Sequence, residues 1–188
     1  MFYGNIKNCD IANGVGVRIS LFVSGCRHHC KNCFQPCTWN FKYGEEFTED
    51  TINEILSMLK PNYISGLTLL GGEPFEPENQ QDLLWLVERV KKTYPSKNIW
   101  AYSGYLYEEL TGKKKCELRF NQEKISLTHP RTEFTDKLLS HIDVLVDGEF
   151  VDELKDISLN FRGSSNQRII DLNETRKNGK LVLHSLNN

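Results

Sequence analysis

The 188-residue chain lacks a long apolar run. No stretch approaches the ~18 residues of a membrane-spanning helix, so no span is expected. It also lacks a surplus of either charge: 23 Lys and Arg stand against 25 Asp and Glu, a net charge of −2. That balance offers no electrostatic case for nucleic acid or anionic lipid. The one short basic run, Lys113-Lys114-Lys115, reads as a solvated loop. The opening MFYGNIKNCDIANG has no basic-then-apolar character, so no secretory leader is expected and a cytoplasmic protein is. Internal repeats and low-complexity stretches are missing too. With 39% hydrophobic residues the chain can bury a core, and one domain over residues 1–188 is expected.

Cysteine is not scarce. Six thiols in an intracellular chain argue against a disulfide framework and leave them free for metal. Three of them, Cys26, Cys30 and Cys33, are spaced C-x3-C-x2-C directly after the strand-like run Val17 to Val23 and Ser24-Gly25. Three thiolates hold three irons of a [4Fe–4S] cluster, whereas a closed electron-transfer cluster takes four. The open iron could then bind a substrate or cofactor. Three Cys and a His would equally satisfy zinc; His28 and His29 lie in the loop but are expected to be exposed. Cys9, Cys37 and Cys116 are spare thiols. Cys37, four residues after Cys33, reads as a small semi-buried residue rather than a fourth ligand.

A second motif, Leu69-Leu70-Gly71-Gly72-Glu73-Pro74-Phe75, follows another apolar, β-rich stretch. Paired glycines let backbone pass close to a ligand. Glu73 offers a carboxylate to a cationic amine, and Pro74 stiffens the exit. In this order and at this distance the two motifs resemble those of the radical S-adenosylmethionine (SAM) superfamily. The resemblance implies cluster ligation by Cys26, Cys30 and Cys33, and SAM binding at Gly71, Gly72, Glu73 and Pro74. A third SAM contact is expected at Ser103, after the strand Asn98 to Tyr102.

The rest of the chain alternates strand and helix. Thr48 to Leu59 carries a capping residue, an acidic first turn and apolar positions Ile52, Ile55, Leu56 and Leu59. Pro77 to about Tyr94 forms a helix with an apolar stripe and Pro at its first position. A short helix follows Ser103-Gly104, and another runs from about Thr132 to His141 into a strand Ile142 to Asp147. A final strand is expected near Lys180 to Ser185, and a hairpin around Asn121-Gln122. Alternation predicts an α/β fold with mostly parallel strands and right-handed crossovers. A full (β/α)8 barrel takes about 250 residues. The expectation is therefore an incomplete, open β/α barrel of radical SAM type, with chemistry at the C-terminal strand ends and one side left open for a large substrate.

The flanking residues narrow the resemblance. Gly14-Val15-Gly16-Val17-Arg18 leading to Gly25-Cys26 is similar to the entry of glycyl-radical-enzyme activases. Cys33-Phe34-Gln35-Pro36 with Thr38-Trp39-Asn40, Trp100 to Tyr105, Asp143 to Phe150 and Arg162 to Arg168 resemble the activases of anaerobic (class III) ribonucleotide reductase. This implies a radical SAM oxidoreductase in which a reduced [4Fe–4S] cluster cleaves SAM, and the resulting 5′-deoxyadenosyl radical takes hydrogen from a glycine of the reductase. The implied partners are the anaerobic ribonucleoside-triphosphate reductase and a low-potential electron donor such as flavodoxin. No separate catalytic side chain is expected, because the cofactors carry the hard chemistry. Alternatives are an activase of another glycyl radical enzyme, such as pyruvate formate-lyase, a small-molecule radical SAM enzyme, and a non-enzymatic iron–sulfur carrier or zinc-stabilised binding module. Arg18 reads either as a contact to partner or cluster or as a surface-paired strand residue. Asp147-Gly148 and the polar loop Arg162 to Arg168 are further places for a ligand or for docking.

Overall fold

The computed structural model describes residues 1–116, 118–120, 123–125 and 130–187. Its strands in chain order are β1 (Phe2–Asp10), β2 (Val17–Val23), β3 (Glu45–Glu46), β4 (Ile64–Gly71), β5 (Asn98–Ser103), β6 (Leu118–Phe120), β7 (Glu123–Ile125), β8 (Val144–Asp147) and β9 (Arg168–Asp171). Its helices are α1 (Glu49–Leu59), α2 (Pro77–Thr93), α3 (Tyr107–Leu110), α4 (Thr135–His141) and α5 (Leu172–Asn178). One mixed sheet runs in the order β3-β1-β2-β4-β5-β8-β9. Its centre, β2-β4-β5-β8, is parallel, while β1 and β9 pair antiparallel at either side. Since β3 is antiparallel to β1, it runs with the central four. The fold is α/β with a mostly parallel mixed sheet.

Side chains alternate between the two faces of these strands. On one face Ile99, Ala101, Leu145 and Ile170 join the main core with Leu83, Leu86, Val87 and Val90 of α2 and Ile52, Ile55 and Leu59 of α1. The opposite face is different. Trp100, Val144, Val146 and Ile169 form a small cluster with Tyr102, Phe161 and Leu186, and towards β2 and β4 this face becomes polar. There Arg18 is fully buried. Its guanidinium donates to Thr68 Oγ1 (2.6 Å), Asn98 Oδ1 (2.7 Å) and the carbonyls of Leu67 (2.7 Å) and Val15 (3.0 Å). It is neither a surface-paired residue nor a cleft residue: it ties β2, β4 and β5 together from within.

Most expected elements fall close to where the sequence placed them; β3 and β9 were not expected as strands, and other differences stand out. No pattern in the sequence announced β1, whose nine residues are unevenly buried. The expected strand near Lys180 to Ser185 reduces to an isolated bridge between Leu183 and Ile170. Before it stands α5, capped by Asp171 and ended by Gly179 in the left-handed conformation (φ 67°). β6 and β7 pair antiparallel as a hairpin requires, while its turn at Asn121-Gln122 lies outside the described residues. Among the described residues no helix is long and apolar enough to cross a membrane.

Candidate functional site

The four parallel strands end on one side of the sheet, and each delivers a loop there. β2 leads to the three-cysteine loop, β4 to Gly71-Gly72-Glu73, β5 to Ser103-Gly104 and β8 to Gly148. Crevices outside the carboxyl ends of parallel strands are the usual ligand sites of such sheets. Here the crevice is a cleft of about 730 Å³. Cys26, Cys30, Cys33, Gly71, Gly72, Glu73, Ser103 and Gly104 all line it, over a floor of Phe22, Leu70 and Tyr102. Pro74 is the one expected SAM-site residue that does not.

The two motifs are bonded to each other before any ligand is considered. The Gly72 amide donates to the Val23 carbonyl (2.7 Å) and the Glu73 amide to the Gly25 carbonyl (2.8 Å). A Cβ on Gly71, whose φ is +107°, would stand 2.7 Å from Phe22 Cα, and one on Gly72 2.5 Å from Gly25 O. The glycine pair thus answers first to the neighbouring strand end, a close approach of chain to chain. The first turn of α2 adds to the clamp. Asn79 Nδ2 donates to the carbonyls of Ser24 (3.0 Å) and Glu73 (2.9 Å). Buried Glu76 accepts the Arg27 amide (2.7 Å) and pairs with the Arg27 guanidinium.

Glu73 is 1% exposed. Its Oε1 accepts from the Phe75 amide and the Ser103 hydroxyl, both at 2.9 Å, and its Oε2 from the Gly104 amide at 2.7 Å. An ionised carboxylate has about four acceptor sites, so three bonds leave roughly one. Ser103, which lines the cleft, is also tied to Glu73. Burial pushes the Cys26 thiol above its ordinary value, and burial with the nearby Glu149 carboxylate pushes Cys30 up to about 12. Both are neutral thiols at neutral pH and become thiolates only when a metal displaces the proton. Among the described residues no three His, Cys, Asp or Glu side chains gather closely enough to hold a metal ion. The three thiols stand around the cleft rather than at a point.

His28 departs from its expected exposure: it is 4% exposed. Its ring packs on Tyr105 at 4.4 Å, with Nε2 3.3 Å from Glu73 Oε2. The room it occupies exists because residue 104 is glycine, where a Cβ would come within 2.6 Å of Nε2. His29 is exposed and stacks on Trp39 at 4.5 Å. His28 Nδ1, Trp39 Nε1 and the Tyr102 hydroxyl are buried without a hydrogen-bond partner among the described residues, and all three side chains line the cleft. Buried polar groups are normally satisfied; a cluster of exceptions around one cleft marks a place built for a polar ligand. Spacing in the sequence carried no signal for Trp39 or Tyr102 in this role.

The remaining candidates separate. Cys37 is exposed rather than semi-buried, and Cys9 is exposed while Cys116 is buried; none of the three lines the cleft. Gly148 and Arg162 do line it. Asp147 is fully engaged by the Tyr107 amide (2.7 Å) and Arg168, and Arg168 also pairs with Glu108 (2.7 Å).

An α/β sheet with a three-thiol loop at its strand ends defines a cluster-binding domain, and the description "4Fe-4S single cluster domain" matches residues 12–170. Similar proteins narrow this further. The anaerobic ribonucleoside-triphosphate reductase-activating protein of Enterobacteria phage T4 is 38% identical over 169 residues, covering 90% of this chain and 93% of that protein. Those of Vibrio cholerae serotype O1 (39% identical; 90% and 97% covered) and Escherichia coli K12 (38%; 89% and 96%) are equally close. The chain belongs to the family of anaerobic ribonucleoside-triphosphate reductase-activating proteins.

Proposed function

We propose that this chain activates an anaerobic ribonucleoside-triphosphate reductase by radical SAM chemistry, within a single domain over residues 1–188 whose sheet is an open β/α barrel. The observation that carries this is the convergence of both motifs on one cleft at the parallel strand ends. The barrel reading is supported by the two unlike sheet faces, one packed by helices and the other, with only a small apolar cluster, turned to the cleft through Phe22, Leu70 and Tyr102.

Cys26, Cys30 and Cys33 would hold three irons of a [4Fe–4S] cluster, with the fourth left to SAM. Bound together, cluster and SAM supply one electron and then a carbon radical able to take hydrogen from a protein glycine. What the chain supplies is placement. Gly71 and Gly72 hold the SAM-binding backbone against the cluster loop. Glu73 keeps its remaining acceptor site for a cationic amine, with its orientation fixed by Ser103 and the amides of Phe75 and Gly104. The apolar floor of Phe22 and Leu70 excludes water. Pro74 acts from behind, by stiffening the turn into α2. The electron donor is of low potential and the flavodoxin type.

The test is anaerobic reconstitution with iron and sulfide, reduction, and EPR with and without SAM, followed by addition of the reductase. A [4Fe–4S]1+ signal that changes on SAM addition, 5′-deoxyadenosine as product, and a glycyl-radical doublet on the reductase are expected. A sample that binds zinc and leaves SAM intact would return the chain to the binding-module class.

A further inference from the structure

Two loops form the mouth of the cleft, and each carries an apolar side chain into solvent. Phe34, one residue after Cys33, is 90% exposed, and Ile157, between β8 and β9, is 94% exposed. Both line the cleft. Single exposed hydrophobics are ordinary; two at one mouth, more exposed than any other large apolar side chain among the described residues, are not scattered.

Ile157 does not sit on a loose tip. Its loop, residues 148–167, is bonded across its own base and middle. Gln167 Nε2 donates to the Gly148 carbonyl (2.9 Å), while Gln167 Oε1 accepts the amides of Gly163 (2.8 Å) and Ser164 (3.1 Å). Asn166 Nδ2 donates to the Glu149 carbonyl (2.8 Å), and Lys155 bridges to Ser164. This loop is also tied to the cysteine loop, through Lys31 Nζ to Glu153 Oε1 (2.9 Å) and Asn32 Nδ2 to Asp152 Oδ2 (2.8 Å). Phe34 and Ile157 are thereby presented together, although they are far apart in sequence.

We propose that Phe34 and Ile157 form the docking rim for the glycine-bearing segment of the reductase. The inference rests on the proposed function and adds the surface that function requires. A radical formed in the cleft acts only on a hydrogen brought into contact with it. The target glycine must therefore enter, and the residues on either side of it must cross the rim. Strand-like backbone rises about 3.3 Å per residue, so the crossing residues are the near neighbours of the glycine. A chain crossing there covers Phe34 and Ile157 and removes both from water, which gives the encounter apolar anchors at the entrance.

The test uses cluster-loaded, SAM-saturated protein and the intact reductase of the same organism. Wild type, Ile157→Ser and the Phe34→Ser/Ile157→Ser double variant are compared for reductase affinity by anaerobic calorimetry. Reductase-independent SAM cleavage and iron content are measured alongside. The expected result is a loss of reductase affinity of about 10-fold or more in the double variant and a smaller loss in Ile157→Ser, with iron content and uncoupled SAM cleavage unchanged. Affinity within about 2-fold of wild type in both variants would overturn the rim. So would a parallel loss of uncoupled cleavage, which would place these side chains in the SAM site. A wild-type dimer broken by the double variant with reductase affinity intact would assign the rim to a second copy of this chain. Failure of the wild type to cleave SAM or bind the reductase would instead remove the proposed function beneath it.

Discussion

At the scale of single residues the site is held by contacts that leave no slack. A methyl group on Gly72 would meet the Gly25 carbonyl at 2.5 Å and the Thr38 carbonyl at 3.0 Å. Gly25 O already accepts the Glu73 amide and Thr38 O accepts the Gly25 amide, so neither can withdraw without breaking a bond. Gly72→Ala should therefore lower unfolding free energy by about 1–3 kcal/mol, as overpacking does, and reduce the iron taken up on reconstitution. Urea denaturation and iron analysis read both; normal values in each would mean the glycine serves only the ligand. Glu73→Gln keeps the shape of the carboxylate but replaces one acceptor oxygen by an NH2 that would face a backbone amide which itself donates, Gly104 at Oε2 or Phe75 at Oε1. With the amine's counter-charge also gone, SAM affinity should fall at least tenfold in equilibrium binding, and an unchanged affinity would remove Glu73 from the amine site. Cys37→Ala makes the opposite case. Its thiol is exposed and outside the cleft, so iron stoichiometry and SAM cleavage should match wild type, whereas Ala at Cys26, Cys30 or Cys33 should abolish both.

At the scale of elements, the first turn of α2 does more than begin a helix. The Glu76 side chain makes no cap hydrogen bond; it turns to Arg27 instead, while Asn79 bonds one carbonyl from each motif. Asn79→Ala removes both bonds and strands the Ser24 carbonyl, while that of Glu73 keeps the Glu76 amide (3.2 Å); it should cost about 1–3 kcal/mol and lower cluster occupancy as well. Thr48→Ala is the control. Thr48 caps α1, accepting the Thr51 amide, so its loss should cost about 1 kcal/mol with iron content intact. If both variants lost iron alike, the effect would be general instability rather than a clamp. The same elements show what the sequence could disclose. α1 and α2 were legible because periodic apolar residues coincide with a cap or an initial proline. β1 was not, because it alternates poorly and contains Cys9 at φ 53°. α5 was not, because seven mostly polar residues carry no stripe. The cysteine and glycine motifs were legible since their chemistry depends on local spacing. His28, Trp39 and Tyr102 enter the cleft only through the packing of three separate segments, which spacing cannot encode.

For the whole molecule, the main question is whether the cluster holds the fold together or only occupies it. Small metal-dependent domains are unfolded without their ion. This chain is built otherwise. Its main core lies between the sheet and α1, α2 and α4, on the face away from the cleft, and contains Leu21, Leu69, Phe75, Leu83, Ile99 and Leu145, all fully buried. The cysteine loop, by contrast, is fastened at its ends by backbone bonds, Gly25 N to Thr38 O (2.7 Å) and Cys26 N to Trp39 O (3.3 Å), and along its length by exposed ion pairs such as Lys31–Glu153 (2.9 Å). Such surface pairs are worth about 0–1 kcal/mol. Without iron, then, the ends, including Arg27 on Glu76 and His28 on Tyr105, should stay in place while the middle of the loop, residues 29–35, opens locally. Chelated protein should keep its far-UV spectrum and a cooperative unfolding transition. In hydrogen exchange the amides of β2, β4 and β5 should remain protected while those of residues 29–35 exchange faster than in the loaded protein. Raising salt should widen that difference by weakening the loop-to-loop pairs. Loss of protection across the sheet on chelation would show instead that the cluster is structural, and would place its ligands in the core of the fold rather than at the edge of a finished one.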